Sequence, residues 1–340
     1  MIVKVLSLQI KLGPEATRWS ATDLRAGLEA ELGLAQGDGV DLVLLPAFSG
    51  LLFLPTAELS FSRRPVEVGQ DAWDSFLNTM GEVAQQYQVF LGAGTLPVVE
   101  EGRIYHRAFL FSPEGELLGM QDQTHTSAWE RSWGMTPGEK LEVFATPIGR
   151  LAFLVGTDVW YPEVGRILAL QGADIVLAPV SRPLPYSFWS QGAGLWQQVQ
   201  QNQFFALEAG LTGRLWGTEL RGRGAVFAPC EMTPGESGFL ALAPSDGEEI
   251  RAEVSRVYPE AFTGLPLPPT AQARAEPSAA AFARIAASPL PAAQPSLEFE
   301  PVTAELDLAR RQQVVAEYPL LRLLNPSLYR RYFPTVYRSL

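Results

Sequence analysis

The sequence predicts an α/β protein, because strand-like and helix-like segments alternate along most of its 340 residues. Hydrophobic residues make up 47% and charged residues 19%, which is enough apolar material for a large core and too little charge for a disordered chain. The turn Ser112-Pro-Glu-Gly-Glu116 adds a hairpin signal, since proline and glycine supply turn conformations. At roughly 150 residues per domain, the length allows two domains or one large one.

In the first half of the chain, the residue pattern predicts strands, two helices and two hairpins. Short apolar runs predict strands at 3–9, 41–46 and 89–96, and apolar residues spaced three and four apart predict helices at 16–34 and 70–87. Two strand pairs joined by turns predict hairpins, at 105–111 with 117–121 and at 141–145 with 149–155.

The second half continues in the same way up to a segment of biased composition. Helices are predicted at 162–171, at 195–209 and after 307 to 317, and strands at 174–179, 211–217, 224–228, 238–242 and 302–307. Proline and alanine dominate residues 264–297, which predicts an inserted loop with a short helix at 278–287. Residues 318–340 form a C-terminal tail rich in Tyr, Arg, Leu and Pro.

Charge and residue counts exclude several classes of function. The formal charge of −11 without a basic run argues against nucleic acid and against an anionic membrane surface. One cysteine, Cys230, allows no internal disulfide, and two histidines leave no cluster for zinc, so we expect no metal and no cofactor. The start of the sequence has no signal-peptide pattern, and the longest apolar run, 42–55, is short and broken by proline, so we predict a cytoplasmic protein.

Four sequence segments, in order, resemble one known family. They are Asp41-Leu-Val-Leu-Leu-Pro46, the run from Tyr105 through Gln123-Thr-His125, the segment from Gly149 through Asp158 with Tyr161-Pro-Glu163, and the run from Trp196 through Gln201-Asn202 to Pro229. Together they make residues 1–245 similar to the nitrilase superfamily of carbon–nitrogen hydrolases, with 302–307 similar to the closing strand of that fold. The resemblance implies an α-β-β-α four-layer sandwich, with residues 1–340 forming a single domain.

The resemblance also implies three catalytic positions, and each is changed in this chain. Active members use a glutamate base after the proline that ends the second strand, where this chain has Ala47. They use a lysine before Thr-His to stabilise the oxyanion, where it has Gln123, and a nucleophilic cysteine two residues before an aspartate, where it has Gly156. We expect positions 47, 123 and 156 to lie together in space, without a working nucleophile, base or cation.

Three hypotheses about function follow from these replacements. The first is a pseudoenzyme that binds a small neutral ligand or a partner subunit at the former active site. The second is a carbon–nitrogen hydrolase, acting on amides or nitriles, with a nucleophile from elsewhere. Cys230 is a poor candidate, because it belongs to the strand region 224–229, well away from the turn at Gly156, and we interpret it as a small apolar filler. The third is a structural subunit that pairs with an active relative.

Several polar and aromatic residues are candidate ligand contacts, each with a structural alternative. Gln123 and Thr157 can hydrogen-bond a neutral polar group, and Asp158 is equally well explained as a site carboxylate or as the cap of the helix at 162. Tryptophans follow three of the predicted strands and supply either the walls of a pocket or the filling of a vacated one; they are Trp129, Trp133, Trp160 and Trp189. With the lysine position uncharged and Asp158 nearby, we expect any ligand to be neutral or cationic.

The remaining titratable residues near these motifs are given structural roles. Glu130 lies where relatives carry a second glutamate, but a solvated loop charge is the preferred interpretation. We interpret His125 as a hydrogen-bonded structural histidine and His106 as the end of a strand.

A homodimer is predicted as the assembly. Leu195–Ala209 offers apolar side chains on more than one side of a predicted helix, and the tail 318–340 is long enough to cross onto a neighbour. The alternative is a tail packed on its own subunit.

Overall fold

The computed structural model describes residues 1–13, 21–53, 70–183, 188–215, 218–244 and 297–337. The Pro/Ala-rich segment predicted at 264–297, including its helix at 278–287, lies outside these residues except for Leu297, which begins a strand.

Fourteen strands in the described residues form the centre of the fold. They are β1 Ile2–Leu12, β2 Leu42–Leu44, β3 Phe90–Glu100, β4 Arg103–Phe111, β5 Leu117–Asp122, β6 Val143–Thr146, β7 Gly149–Phe153, β8 Ile175–Val180, β9 Arg182–Pro183, β10 Phe205–Leu215, β11 Thr218–Arg221, β12 Ala225–Phe227, β13 Phe239–Leu242 and β14 Leu297–Asp307. The first sheet has the order β5-β4-β3-β2-β1-β14, and the second has β6-β7-β8-β10-β12-β13. Short parallel pairing of β1 with β10 at Ile10 and Leu211 joins the two sheets at one end.

Nine helices connect or flank these strands in the described residues. They are α1 Ala21–Gly37, α2 Ser49–Leu52, α3 Gln70–Tyr87, α4 Ala128–Ser132, α5 Pro162–Leu170, α6 Phe188–Gln191, α7 Gln197–Asn202, α8 Leu308–Glu317 and α9 Pro326–Val336. A 3₁₀ turn at Gly156–Trp160 precedes α5, and a π-helical turn at Gly192–Trp196 precedes α7.

Three apolar clusters define the layers, because alternate residues of each strand point to opposite faces. Val5, Leu44 and Leu110 from the first sheet meet Phe153 and Leu177 from the second between the two sheets. The opposite face of the first sheet packs against α1 and α3, and the opposite face of the second packs against α5 and α7. The structure is therefore the predicted α-β-β-α sandwich.

The predicted helix at 195–209 is wrong in its second half. The helical segment ends at Asn202, and β10 begins at Phe205. Phe204 to Ala209 is continuously buried, as expected of a central strand covered on both faces. The neighbours of this part of β10 in the sheet are β8 and β12. A short apolar run fits a buried helix and a buried strand equally well, so periodicity did not distinguish them.

No helix in the described part of the chain combines the length and the apolar character needed to cross a bilayer.

Candidate functional site

The three positions that are catalytic in active relatives follow the C-terminal ends of β2, β5 and β7. Ala47 follows β2, Gln123 follows β5, and Gly156 begins the turn after β7; all three are fully buried. Gly156 has φ +55°, and a Cβ atom added to it would lie 3.0 Å from Gln123 Nε2. Positions 123 and 156 are therefore in direct contact across the two sheets.

Ala47 reaches this contact through the next residue. Phe48 adopts a left-handed φ of 61°, and its ring stacks on the His106 imidazole at 4.2 Å between centroids. The Phe48 N–H donates to Thr95 Oγ1 at 2.7 Å, and Gly94, with φ +77°, lets β3 pass closely beside Ser49 at the start of α2. The resemblance implies a glutamate base after Pro46. In its place the apolar ring of Phe48 packs beside the residues around Gln123 and Gly156, which we call the centre.

The side-chain amide of Gln123 is the hub of the site. Its Oε1 accepts a hydrogen bond from His106 Nδ1 at 2.6 Å. Its Nε2 lies 2.7 Å from Thr157 Oγ1, 3.1 Å from Glu130 Oε2 and 3.0 Å from the His125 carbonyl. These acceptors fix the orientation of the amide and take up both of its N–H hydrogens.

His106 lies inside β4 and not at the end of a strand, so its predicted role is wrong. Its Nδ1 faces two acceptors, Gln123 Oε1 and Glu130 Oε1, the latter at 3.1 Å, and therefore carries a hydrogen. Its Nε2 lies 2.5 Å from Thr95 Oγ1. The imidazole is held on both nitrogens and covered by the Phe48 ring, which fixes it in place.

Glu130 is also buried, so its interpretation as a solvated loop charge is wrong. It occupies the third position of α4 and forms a capping box with Ser127, whose N–H donates to Glu130 Oε2 at 2.6 Å. Burial raises the pKa of Glu130, but the hydrogen bonds and charge of His106 and the bonds from Ser127 outweigh it, so the pKa lies below the ordinary value. The sequence signal for this arrangement was Ser127-Ala-Trp-Glu130, a capping-box pattern.

Asp158 ties the turn after β5 to the turn after β7. It is fully buried and accepts hydrogen bonds from the Thr124 N–H at 3.0 Å, the Thr124 hydroxyl at 2.9 Å and the His125 N–H at 2.8 Å. The helix α5 has no side-chain cap, so of the two roles considered for Asp158 the cap of this helix is wrong. The His125 ring stacks on Tyr161 at 3.8 Å and lies 2.9 Å from Thr124 Oγ1, as expected of a structural histidine.

The tryptophans divide into two groups. Trp129 and Trp133 contact each other at 3.9 Å between centroids, and both contact Phe48, so they fill space beside His106. Trp160 is exposed and donates from its Nε1 to the Ser190 carbonyl at 3.1 Å. Trp189 belongs to α6, but its side chain lies outside the described residues.

Arg182 is a site residue that the sequence reasoning missed. It is buried, its Nη2 donates to the Gly156 carbonyl at 3.2 Å, and its guanidinium lies 3.8 Å above the Trp160 ring. A cation therefore adjoins the turn at Gly156, which corrects the expectation that the former site lacks one. Ser-Arg-Pro after a buried strand gave no pattern that assigns it to the site.

Two cavities in the described structure are lined by residues outside this network. One, of about 350 Å³, borders β4, β5 and the segment 137–140, and the other, of about 290 Å³, lies between α3 and the β4–β5 turn.

The described residues hold no group of three His, Cys, Asp or Glu placed for a metal. Cys230 is bound through its N–H to Gln200, and burial, followed by Glu231 and Glu236, raises the pKa of its thiol.

Comparison with known proteins agrees with this fold and with the motifs. The family model described as carbon-nitrogen hydrolase matches residues 9–229, and the chain belongs to that family, within the nitrilase superfamily. Solved structures carry the same architecture: the carbon-nitrogen hydrolase from Helicobacter pylori G27 superposes with a TM-score of 0.65 over 97% of both chains, at 19% identity.

Curated relatives match over part of their length. The probable hydrolase YhcX of Bacillus subtilis is 28% identical over 177 residues, which is 49% of this chain and 33% of that protein. The deaminated glutathione amidase of Yersinia enterocolitica is 29% identical over 155 residues, 42% of this chain and 52% of the amidase. The chain thus spans between a third and about half of the length of these relatives.

Proposed function

We propose that this chain is a non-catalytic member of the carbon–nitrogen hydrolase family, whose former catalytic centre is a closed structural junction between the two sheets. The observation that carries the proposal is the Gln123 amide. It lies against Gly156, where the nucleophile of active relatives is expected, and its hydrogen-bonding groups are engaged by His106, Glu130, Thr157 and His125.

The chemistry of acyl transfer supports the same conclusion. Such a reaction needs a nucleophile, a base within hydrogen-bond reach of it, and a donor for the oxyanion. Gly156 has no side chain and Ala47 has no proton acceptor. The hydroxyl beside them, on Thr157, accepts from Gln123 and donates to the His125 carbonyl, so its proton points to a carbonyl and not to a base.

A closed centre favours the structural-subunit hypothesis over a small-molecule binder. Gln123 and Thr157 form hydrogen bonds with each other and with other groups of the protein, and Asp158 accepts three hydrogen bonds from the protein. Trp129 and Trp133 pack against Phe48 and supply filling and not the walls of an open pocket. The function we propose therefore lies in association with another subunit.

Amide hydrolysis is the second candidate, and specific observations favour it. Curated relatives bear the names of hydrolases and amidases, Glu130 is retained as a buried carboxylate at 3.1 Å from Gln123, and Arg182 supplies a cation at the Gly156 carbonyl. Its weakness is the nucleophile, because the raised pKa of Cys230 disfavours a thiolate.

An activity assay separates the two candidates. The purified chain is incubated with ω-amides, N-carbamoyl amino acids, and aliphatic and aromatic nitriles, beside an active omega-amidase prepared in the same way. We expect no product above buffer, since loss of one essential group already costs several orders of magnitude in rate. Turnover that follows the protein through two chromatographic steps would overturn the proposal, and Cys230→Ala and Thr157→Val variants would then identify the nucleophile.

A ligand screen tests the closed centre separately. Neutral amides and aromatic amides at about 100 times a dissociation constant would stabilise a binder by ~2.7 kcal/mol, which thermal shift detects. We expect no such shift. A stabilising amide whose effect disappears in Gln123→Ala would restore the ligand-binding hypothesis.

A further inference from the structure

The larger of the two cavities, of about 350 Å³, is carried by the same two strands as the centre. Arg107 on β4 is paired with Asp122 on β5, and both residues line this cavity. The residues next to them in the chain, His106 and Gln123, belong to the centre. Because successive residues of a strand point to opposite faces, the cavity and the centre share strands but no side chain.

A buried guanidinium with one unused nitrogen lines the cavity. Arg107 is 7% exposed, and its Nε and Nη2 donate to the two carboxylate oxygens of Asp122 at 2.6 and 3.0 Å. Its Nη2 also donates to Glu100 Oε2 at 2.6 Å. Burial lowers the pKa of Arg107, but the hydrogen bonds and charges of Asp122 and Glu100 outweigh it, so the guanidinium stays charged. The two hydrogens on Nη1 have no acceptor among the described residues and remain available to a ligand in the cavity.

The loop before β6 forms a second wall, and hydrogen bonds fix it in place. The Gly138 N–H donates to the Gln123 carbonyl at 2.8 Å. Gln121 binds the loop twice: its Nε2 donates to the Lys140 carbonyl at 2.7 Å, and its Oε1 accepts from the Glu142 N–H at 3.1 Å. A cavity whose walls are already fixed loses little conformational freedom when a ligand binds.

Charged side chains of both signs surround the cavity. Besides Arg107 and its two carboxylate partners, the lining has two exposed cations and two exposed carboxylates: Arg103, Lys140, Glu139 and Glu142. Three positive charges against four negative ones favour neither a purely anionic nor a purely cationic ligand. A molecule that carries both charges can direct its carboxylate to the cations and its ammonium to the carboxylates, with charge-assisted hydrogen bonds at both ends.

We propose that this cavity binds a small zwitterion, with the ligand carboxylate on Arg107 Nη1 and the ligand ammonium on Glu139 and Glu142. Ligand pockets begin at roughly 300 Å³, so the size of this cavity suits a metabolite of few atoms. The binding site is independent of the proposed function, because neither proposal rests on a side chain that the other uses.

Isothermal titration calorimetry of the full chain with a length series tests the proposal. The probes are glycine, β-alanine, 4-aminobutyrate and 6-aminohexanoate, which carry their two charges at increasing separation. Propionate and propylamine carry one charge each and serve as controls. We expect one member of the series to bind with a dissociation constant at least about tenfold below those of propionate and propylamine, because only a zwitterion of matching length engages both ends of the site.

Three variants locate the binding. Glu139→Gln combined with Glu142→Gln removes the partners of the ammonium and should raise the dissociation constant about tenfold, with unchanged circular dichroism because both side chains are exposed. Glu114→Gln combined with Glu116→Gln is the matched control. It removes two exposed carboxylates on the β4–β5 turn, outside this cavity, and should change the constant by less than about twofold. Arg107→Lys keeps the positive charge but lacks Nη1, and it should abolish binding.

Three results would overturn the site. One is the absence of binding by every zwitterion at about 10 mM, which would leave Arg107 only as a tie between strands. Another is propionate or propylamine binding as tightly as the best zwitterion, which would mean that the cavity recognises a single charge. The third is an equal loss of binding in the Glu114→Gln and Glu116→Gln control, which would mean that overall charge governs the affinity. The two glutamate pairs decide the question even where Arg107→Lys fails to fold.

Discussion

The contact between Gln123 and Gly156 predicts that these positions are energetically coupled. Gly156→Ala meets two costs, of which the first is the left-handed backbone, about 1–2 kcal/mol for a residue with a Cβ. The second is crowding, because the new Cβ would lie 3.0 Å from Gln123 Nε2 and 3.2 Å from its Cδ. Gln123 cannot move aside without breaking the hydrogen bonds that hold its amide, and overpacking of this kind costs about 1–3 kcal/mol.

A double-mutant cycle measures the coupling. Gly156→Ala should cost about 2–5 kcal/mol in the wild type but only the backbone part, about 1–2 kcal/mol, in a Gln123→Ala background. Gln123→Ala alone should cost about 3 kcal/mol, since it opens a cavity and leaves buried polar groups without a partner. Urea unfolding followed by tryptophan fluorescence and circular dichroism gives the free energies of unfolding, provided that the two transitions coincide. Equal costs of Gly156→Ala in both backgrounds, within about 0.5 kcal/mol, would refute the contact.

Three further predictions concern the same network and its surroundings. The pKa of Glu130 lies below its ordinary value of 4.5 in the folded chain, so its stabilisation is present above pH 4.5 and is lost as the pH falls through the lowered pKa. Glu130→Gln should unfold more easily at pH 7. Its free energy of unfolding, measured in urea between pH 7 and 3, should also fall less steeply with acid than that of the wild type, which we call a flatter acid limb. Asp158→Ala should cost about 3 kcal/mol, read from the urea midpoint, because it leaves three donors on Thr124 and His125 without an acceptor. The Cys230 thiol, with its raised pKa, should react with a disulfide reagent at pH 7 more slowly than free cysteine, and faster as the pH rises above 9.

Each of these expectations has a matched control. Glu142→Gln removes an exposed carboxylate outside the network and should keep the acid limb of the wild type. Asp38→Ala removes an exposed carboxylate and should change the stability by less than about 0.5 kcal/mol. Labelling of Cys230 in urea supplies the rate of the unprotected thiol. A steep acid limb in Glu130→Gln, a neutral Asp158→Ala, or equal thiol rates folded and unfolded would each contradict the assigned environment.

Much of the fold could be predicted from the sequence because its patterning is regular. The strands at β1, β2, β3 and β8 are short apolar runs bounded by turn residues, and α3 carries a clear helical period, so local rules identify them. The layers required the family resemblance, since periodicity does not state which sheet a strand joins. The error at Phe204 to Ala209 has a physical cause: a run buried on both faces has no polar side, and only its pairing with β8 and β12 decides that it is a strand.

The sequence motifs predict which positions form the centre, but not which side chains hydrogen-bond there. The motifs identified Gln123 and Gly156, and the structure brings them into contact. They did not identify His106 as the partner of Gln123, because a single histidine in a strand has no spacing that distinguishes an interior hydrogen-bonding role from a strand end. Glu130 was assigned to solvent on the average behaviour of loop glutamates, although the capping-box pattern at Ser127 placed it at the third position of a helix, where its carboxylate turns back into the protein.

Arg182 and Glu130 are buried charges that the proposed structural junction has to accommodate. Glu130 is a buried carboxylate beside the uncharged Gln123, and burying a charge is costly unless hydrogen bonds or an opposite charge accompany it. His106, Gln123 and Ser127 supply the hydrogen bonds for Glu130, and Gln123 does so without adding a charge of its own. Arg182 donates instead to the Gly156 carbonyl, and its guanidinium stacks on the Trp160 ring, so its charge stabilises the turn. The charged groups around the centre are therefore each held by groups of a turn or a strand, and this is the arrangement that the proposed structural junction requires.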